Sequence, residues 1–430
     1  MLDTIFAQAS APGRSAVAII RISGVSAFAA LELLAGARPP DRLASVRWIR
    51  DPRDGSRIDQ ALILCFPGPG SFTGEDVVEL QTHGSPAVVR ALLGALARLP
   101  NVRAAEPGEF TRRALMNARL DLAQVEGLGD LLAAETAAQM RQATTLMSGV
   151  FSRRAGGWRD ALVGAMALVE ASIDFSDEDL PDDLLEPAEA MLRDVLRDLR
   201  AELNGTAAAK RLREGFEVAL VGAPNVGKST LLNAIAGRDV AITSERAGTT
   251  RDVLEVRLDL GGLPVTMLDM AGMRAADDEI ERIGVDRAVG RATMADMRIF
   301  LVEKGGSIPP GVERLPGDIV LRAKADLDDV RGDGVSGLTG AGVSDLLDRV
   351  AEELGRRAEG ASSTSHIRQE GAIGAAATAI EAAMARLAGS EVDFLAEDLR
   401  SALRSLDFLV GRVDVEAILD VIFRDFCLGK

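Results

Sequence analysis

The sequence has 430 residues, of which 47% are apolar and 27% charged, so it can bury two to three separate cores. It contains no run approaching the ~18 to 20 apolar residues of a membrane helix, and its first residues lack a secretory signal, so we expect a cytoplasmic protein without membrane insertion. Two cysteines, Cys65 and Cys427, are too few for a disulfide framework or a four-cysteine zinc site. The net charge of -16 argues against a surface that attracts nucleic acid everywhere.

The charge is unevenly distributed along the chain. Residues 1–120 contain 14 Arg and Lys against 11 Asp and Glu, whereas residues 121–210 contain 8 against 17. If RNA binds, the first region is therefore the favoured surface. Ordinary surface arginine explains the same excess equally well, because the chain has no Tyr and only 3% aromatic residues to stack on bases.

The N-terminal region, residues 1–117, has the pattern of an α/β domain. Short β-rich runs at 17–22, 61–66 and 77–81 are separated by turn clusters that are rich in Gly and Pro. A run with helical periodicity follows at 86–99.

The next region, residues 118–211, is rich in Ala and Leu at helical spacing, and residues 356–430 return to the same pattern. A Gly-, Arg- and Ser-rich linker is predicted at 355–363, and amphipathic helices at 373–387 and 393–423. We expect the two regions to form one discontinuous helical bundle.

A nucleotide-binding module at 212–355 interrupts the helical part. The apolar strand at 218–221 runs into Gly222-Ala-Pro-Asn-Val-Gly-Lys-Ser229, which fits the phosphate-loop pattern G-x-x-x-x-G-K-S/T and precedes a helix. Backbone N–H groups of such a loop bind phosphates, Lys228 reaches the β- and γ-phosphates, and the Ser229 hydroxyl coordinates magnesium. A doubly wound sheet of the P-loop type is expected.

Two further elements have the spacing of a GTPase. Asp269-Met-Ala-Gly272 follows the apolar run 265–268 and matches D-x-x-G, which places a carboxylate in the magnesium shell and a glycine N–H at the γ-phosphate. Thr250 lies in a segment that orders only around the γ-phosphate, and is a candidate second magnesium ligand.

The base-recognition element is Ala323-Lys-Ala-Asp326, which departs from the usual N-K-x-D pattern. Asp326 can accept two hydrogen bonds from the N1–H and 2-amino groups of guanine, and the Lys324 stem can cover the base plane. The stretch 304–317 is too rich in Gly and Pro for a normal helix, and only a short loop leads on to Ser336-Gly-Leu338. The module is therefore trimmed on its base-binding side.

Several other segments are distinctive. They are Pro224-Asn225, 247–252, 281–284, 9–24, 66–76, 83–84, 107–111, 121–126 and the terminal Phe426-Cys-Leu-Gly-Lys430. Together they resemble the potassium-dependent tRNA-modification GTPase family, MnmE/TrmE, over nearly the whole chain. The resemblance implies an N-terminal α/β folate-binding-type domain that dimerises, a discontinuous helical domain and an inserted P-loop GTPase domain.

The resemblance also implies an activity. Members hydrolyse GTP as homodimers and work with a separate FAD-dependent protein of the MnmG/GidA type. Together they install an aminomethyl-type group at carbon 5 of the wobble uridine of tRNA, with a tetrahydrofolate derivative as the one-carbon donor. The matching folate positions here are Arg21, Glu79, Arg119 and Lys430, with Arg119 in place of the usual lysine. From the residues alone, ordinary surface ion pairs explain these charged side chains equally well.

The Gln that usually positions the attacking water is replaced here by Met273. The resemblance implies that Glu281 positions the water instead. It also implies a potassium ion held by Asn225, Ser244, Arg246 and Thr249. The nucleotide-contacting positions that match the family are Asn225, Val226, Gly227, Lys228, Ser229, Thr230, Ser244, Glu245, Arg246, Ala247, Gly248, Thr249, Thr250, Asp269, Met270, Ala271, Gly272, Lys324, Asp326, Ser336, Gly337 and Leu338.

Cys427 has two interpretations: participation in the modification chemistry, or a buried small apolar side chain. Two alternatives for the whole protein also remain open. One is a GTP-dependent conformational switch of the ribosome-assembly type, which performs no chemistry on RNA. The other is a degenerate family member with weak hydrolysis, favoured by Ala323, by Met270 in place of the usual Thr, and by the trimmed loops.

Overall fold

The computed structural model describes residues 3–174, 185–242, 255–270, 289–327, 333–387 and 392–413, together with Phe423 and Gly429. The chain forms two compact units, Met1–Gly129 with Asp407–Lys430, and Asp130–Leu406. Within the described ranges, no helix combines the length and the apolar character needed to cross a membrane.

The first unit is built on a six-stranded sheet with the order β3-β4-β5-β2-β1-β6. Its strands are β1 (Thr4–Gln8), β2 (Val17–Ser23), β3 (Ser45–Arg50), β4 (Arg57–Phe66), β5 (Val77–His83) and β6 (Val102–Ala104). Neighbouring strands run antiparallel except β1 and β6, which are parallel. The predicted strands at 17–22, 61–66 and 77–81 are confirmed and lie within β2, β4 and β5.

Helices α1 (Ala27–Ala35) and α2 (Pro86–Leu96) pack on one face of this sheet. Alternate residues of β4, such as Ile63 and Cys65, are buried against Leu31 and Leu92, as the two-residue period of a strand requires. Helix α2 ends three residues before the predicted end at 99. Helices α3 (Glu109–Met116) and α4 (Leu122–Ala133) follow the sheet.

The second unit begins with helices α5 (Ala137–Met147), α6 (Val150–Asp174), α7 (Glu186–Asn204) and α8 (Thr206–Glu214). After the inserted module, α11 (Ile367–Leu387) packs against α7, which also contacts α6. The start of α5 is fixed by a capping box, in which Thr136 and Gln139 bond reciprocally to each other's backbone N–H groups. These contacts confirm the predicted return of the chain to a helical pattern after the module.

Helix α12 (Val392–Val410) covers the first part of the predicted helix at 393–423, and residues 414–422 lie outside the described residues. It ends at Gly411, which has φ +80°, and a side chain there would lie 2.7 Å from Leu122 Cβ. The prediction of one continuous helix is wrong at 411–413, because a left-handed glycine in tight contact terminates α12, whereas apolar periodicity alone cannot signal the stop.

The inserted module contains a second six-stranded sheet, of order β12-β11-β10-β7-β9-β8. Its strands are β7 (Phe216–Gly222), β8 (Glu255–Leu260), β9 (Leu263–Asp269), β10 (Met297–Val302), β11 (Ile319–Ala323) and β12 (Gly334–Val335). All neighbouring pairs are parallel except β8 with β9. Helix α9 (Lys228–Ala236) follows β7, and α10 (Val343–Ala358) closes the module.

The module sheet is buried on both faces, as a doubly wound sheet must be. Val218 and Leu220 of β7 pack into a cluster with Leu231 of α9, while the alternate residues Ala219 and Val221 pack into a second cluster. The predicted linker at 355–363 is wrong at its start, because α10 remains helical as far as Ala358 and buries Leu354 on its apolar stripe.

No helix forms between β10 and β11, as predicted from the Gly and Pro content of 304–317. A buried ion pair supports this connection instead: Arg298 Nε donates to Asp318 Oδ2 at 2.8 Å, and both side chains are almost fully buried. Asp318 also accepts hydrogen bonds from the backbone N–H groups of Arg298 and Leu315. This carboxylate therefore ties the end of the connection, just before β11, to the beginning of β10.

Candidate nucleotide-binding and folate-type sites

The phosphate loop joins the end of β7 to the start of α9. Asn225 and Gly227 both have left-handed backbones, with φ 62° and 111°, and α9 begins directly afterwards. A side chain on Gly222 would lie 2.7 Å from the carbonyl oxygen of Leu301 in β10, so only glycine fits where the strand ends. The loop thus has the tight turn and the helix N-terminus that bind anions.

Lys228 lies within this loop and is buried. Its Nζ donates to the carbonyl oxygens of Gly222 at 2.9 Å and Ala223 at 3.0 Å. Burial lowers the pKa of Lys228, and the nearby carboxylate of Asp269 opposes that shift. The ammonium is therefore held among carbonyl groups at the position where a phosphate group would offer it stronger, charged acceptors.

Ser229, at the start of α9, and Asp269, at the end of β9, lie next to each other although 40 positions separate them. The Ser229 hydroxyl donates to Asp269 Oδ2. The other carboxylate oxygen, Oδ1, is buried and has no hydrogen-bond partner among the described residues. A buried carboxylate oxygen without a donor, next to a serine hydroxyl, suits a hard divalent cation such as Mg²⁺.

Other predicted loop residues differ in exposure. Val226 and Met270 are buried in apolar clusters, so only their backbones can face a nucleotide. Asn225 and Thr230 are exposed. The Met270 side chain therefore serves the module core, which explains why a methionine is accepted at a position where the family resemblance implies threonine.

The base-binding side is formed by the ends of β11 and β12. Lys324 has φ 57° and is paired with Glu303, and Asp326 is exposed in a 3-10 turn. Ser336 is buried, and its Oγ accepts from the N–H groups of Leu338 and Thr339. A side chain on Gly337 would lie 2.6 Å from Leu231 N, so this loop packs directly on α9.

Several predicted site residues lie outside the described residues, namely Ser244, Glu245, Arg246, Ala247, Gly248, Thr249, Thr250, Ala271, Gly272, Glu281, Cys427 and Lys430. The segment before the first of these is tied to β8, because Ile242 N donates to Arg257 O and Ala241 forms a bridge with Leu258. In the chain, β8 is also the first described strand after Thr250.

A second cluster of predicted residues lies on the sheet of the first unit. Arg21 of β2 and Glu79 of β5 are direct register partners, and both Arg21 Nε and Nη2 donate to Glu79 Oε1, at 3.0 and 2.8 Å. Arg21 also lies 5.5 Å from the ring centre of Phe72 and 5.8 Å from that of Phe110. The pair is mostly shielded from solvent, in contrast to an ordinary surface ion pair.

Arg119, the third predicted folate position, lies beside the loop that carries Phe72. Its Nε donates to the carbonyl oxygen of Ser71 at 3.1 Å. Arg21, which is paired with Glu79, and Arg119 thus both lie beside the loop that contains Ser71 and Phe72, although 98 positions in the sequence separate the two arginines. Gly429 packs in the same unit, where a side chain would lie 2.2 Å from Gln8 O.

Comparison with known proteins assigns the chain to a family. Residues 4–119 match the family described as GTP-binding protein TrmE N-terminus, and residues 122–427 match the MnmE helical domain. The chain belongs to the MnmE family. It is 53% identical over 431 residues to the tRNA modification GTPase MnmE of Dinoroseobacter shibae, covering 100% of both chains. The proteins of the same name from Roseobacter denitrificans and Cereibacter sphaeroides are 52% and 51% identical, also over 100% of each chain.

Two residues near the Arg21–Glu79 pair of this MnmE family member were not predicted from the sequence. Phe72 covers Arg21, and Arg113, only 1% exposed, donates to both carboxylate oxygens of Glu75, at 3.2 and 3.1 Å. Glu75 also accepts from Ser23 Oγ at 2.7 Å. The exposed aromatic residue within the run Gly70-Ser-Phe-Thr-Gly74 was a usable signal for Phe72, whereas nothing in the sequence distinguishes Arg113 from a surface arginine.

Proposed function

We propose that this chain hydrolyses GTP and, with an FAD-dependent partner of the MnmG/GidA type, takes part in adding a carboxymethylaminomethyl or aminomethyl group to carbon 5 of the wobble uridine of tRNA. The relatives that match it end to end are called tRNA modification GTPases. The single observation that supports hydrolysis most directly is the arrangement of Lys228, Ser229 and Asp269 in the phosphate loop.

The residues of this loop have distinct proposed roles. Lys228 exchanges its two carbonyl acceptors for the β- and γ-phosphates when nucleotide binds. Ser229 and Asp269 would hold Mg²⁺, for which the buried, unpartnered Asp269 Oδ1 is a further oxygen acceptor. The cation supplies positive charge that stabilises the phosphate oxygens in the transition state.

We further propose potassium activation. Asn225, which is exposed at the left-handed turn of the phosphate loop, would bind the potassium ion together with Ser244, Arg246 and Thr249. Thr250 is the second magnesium ligand, and Glu281 orients the attacking water. A monocation held by these residues would stabilise charge that develops only in the transition state, so it would raise turnover more than nucleotide affinity.

We assign the N-terminal cluster to a tetrahydrofolate derivative that donates the one-carbon unit. Phe72, which is 37% exposed, offers a flat apolar face for its ring system, while Arg21 and Arg119 offer donors for its polar groups and carboxylates. Lys430 and Cys427 are assigned to the same site, Cys427 as a participant in the modification. The proposed assembly is a homodimer in the cytoplasm, where tRNA and a reducing environment for the two thiols are available.

The test is steady-state GTP hydrolysis in potassium and in sodium buffer at matched ionic strength, with Lys228→Ala as the blank. Strong potassium stimulation that is absent from the variant supports the proposal. Rates close to the blank in both salts, despite measurable GTP binding, would favour the degenerate family member, for which the specific observation is Ala323 at the base-recognition element. Potassium-stimulated hydrolysis together with normal tRNA modification in a strain lacking the gene would favour the conformational switch.

A further inference from the structure

One ion pair on the base-binding side is not explained by the nucleotide motifs. Lys324 Nζ lies 2.9 Å from Glu303 Oε1, across two neighbouring parallel strands. Val302 and Arg322 are register partners at the ends of β10 and β11, so Glu303 and Lys324 both lie just beyond the same edge of the sheet. The phosphate loop leaves β7 at this edge too, since Leu301 pairs with Gly222.

Lys324 is held in an unfavourable backbone conformation. Its φ of 57° lies in the left-handed region, which residues with a Cβ adopt only when the surroundings determine it. The preceding residue, Ala323, is buried and carries no polar side-chain atom. An asparagine there has an amide that can both donate and accept, and so can tie this turn to neighbouring backbone groups, whereas alanine cannot.

We infer that Glu303 is the positioning residue that holds Lys324 for guanine recognition in place of the missing side-chain amide at 323. This inference rests on the proposed GTP binding. The carboxylate of Glu303 fixes the ammonium at the end of the Lys324 stem. The apolar methylene groups are thereby kept extended where they cover the base plane.

The pair is partly exposed, with 41% of the Lys324 side chain and 58% of the Glu303 side chain accessible. Its contribution is therefore that of a surface ion pair, which is modest and sensitive to salt. A stem that packs on the base plane does not distinguish guanine from hypoxanthine, because that difference lies in the 2-amino group facing Asp326. The sensitivity to salt and the equal effect on guanine and hypoxanthine therefore distinguish the role of Glu303 from that of Asp326.

The test measures dissociation constants of GDP and IDP by titration calorimetry on the full chain. Glu303→Gln should weaken binding of both nucleotides by the same factor, about two- to fivefold at low salt, and the difference from wild type should shrink in 1 M NaCl. Glu303→Asp should recover part of the loss. Glu313→Gln, which removes an exposed glutamate from the same connection, serves as the matched control and should bind like wild type.

A double-mutant cycle decides whether Glu303 acts through Lys324. If it does, Glu303→Gln adds no further loss to Lys324→Gln. Losses that multiply, a Glu303→Gln variant that binds like wild type, or one that changes the ratio of GDP to IDP affinity would each overturn the inference while leaving GTP binding intact. Absence of GDP binding by the wild type would instead overturn the proposed function and this inference with it.

Discussion

The hydroxyl of Ser229 donates to one oxygen of Asp269, while the other oxygen of that carboxylate is buried without a donor among the described residues. The two residues are 40 positions apart, and the parallel pairing of β7 with β9 brings them together. A buried carboxylate oxygen that lacks a partner is destabilising unless a cation or ordered water satisfies it. The pair therefore makes the requirement for a divalent cation testable.

Asp269→Asn is expected to weaken magnesium binding, because an amide is a poorer cation ligand and cannot accept on both sides. The MgCl₂ concentration at half-maximal GTP hydrolysis should rise about 10- to 100-fold. Asp239→Asn, an exposed substitution in the same module, is the control and should leave the curve in place. An unchanged magnesium requirement in Asp269→Asn would exclude this carboxylate from the cation site.

Gly337→Ala is expected to disturb the base-binding loop. The added methyl group would lie 2.6 Å from Leu231 N and from Thr230 C, which are backbone atoms of α9 that cannot move aside easily. Overpacking of this kind costs about 1 to 3 kcal/mol, and the displaced loop should bind GDP more weakly. Gly355→Ala in α10 meets no atom within 4 Å and should stabilise the module by roughly 0.5 to 1 kcal/mol. Denaturant unfolding and GDP titration of both variants measure these effects.

Asp318→Asn is expected to destabilise the module strongly, because it leaves the buried guanidinium of Arg298 without its counter-charge. Breaking one side of such a pair costs about 3 to 5 kcal/mol. The double variant Arg298→Met with Asp318→Leu should recover much of that loss, since no buried charge remains. Asp194→Asn, from an exposed pair with Arg197, should change stability by less than about 1 kcal/mol. If Asp318→Asn and Asp194→Asn changed the free energy of unfolding by the same amount, the argument from burial would be contradicted.

Acid stability of the first unit should depend on Glu109. Burial opposes ionisation of Glu109, but hydrogen bonds from Arg103, the backbone of Glu106 and Arg113 outweigh it and hold the pKa below its ordinary value of 4.5. Because the folded pKa is depressed, the ionised carboxylate contributes stability above pH 4.5, and this is lost as the pH falls through the folded pKa.

Unfolding midpoints measured from pH 7 down to pH 3 should therefore decline for the wild type as the pH falls below 4.5. The pKa of Asp3 is lowered from 3.8 mainly by its hydrogen bond with Arg103. Its ionised carboxylate therefore also contributes stability, which is lost as the pH falls below 3.8. Glu109→Gln should be less stable at pH 7 and show a shallower decline. A decline as steep as that of the wild type would show that other groups control acid unfolding.

Arg21→Ala is expected to abolish measurable binding of a reduced folate, and Phe72→Ala to weaken it, because the first removes the partly buried donor and the second removes the ring that covers it. Arg90→Ala removes an exposed arginine of the same unit whose Nε donates to the nearby Pro86 O, and it is the matched control. Calorimetry with a stable tetrahydrofolate derivative measures all three. Retained binding in Arg21→Ala would show that the ion pair with Glu79 is structural.

Much of the fold was predictable because its signals are local. The strands at 17–22, 61–66 and 77–81 follow from apolar and β-branched runs between turns, and the phosphate loop follows from a motif whose glycines and lysine have fixed chemical roles. The missing helix between β10 and β11 was predictable too, since Gly and Pro exclude a helix regardless of context. Helix ends were less predictable, as the early stop of α12 at Gly411 demonstrates.

The sequence by itself determined which chemical groups are available: the phosphate loop from Gly222 to Ser229, the carboxylate of Asp269 and the altered base-recognition element at Ala323. Only the tertiary structure decided which side chains meet, because strand pairing joins residues far apart in the chain. It pairs Arg21 with Glu79, buries Arg113 against Glu75, and places Glu303 against Lys324. Charge and spacing do not encode such partners; they follow from the register of neighbouring strands and from the burial that excludes water around them.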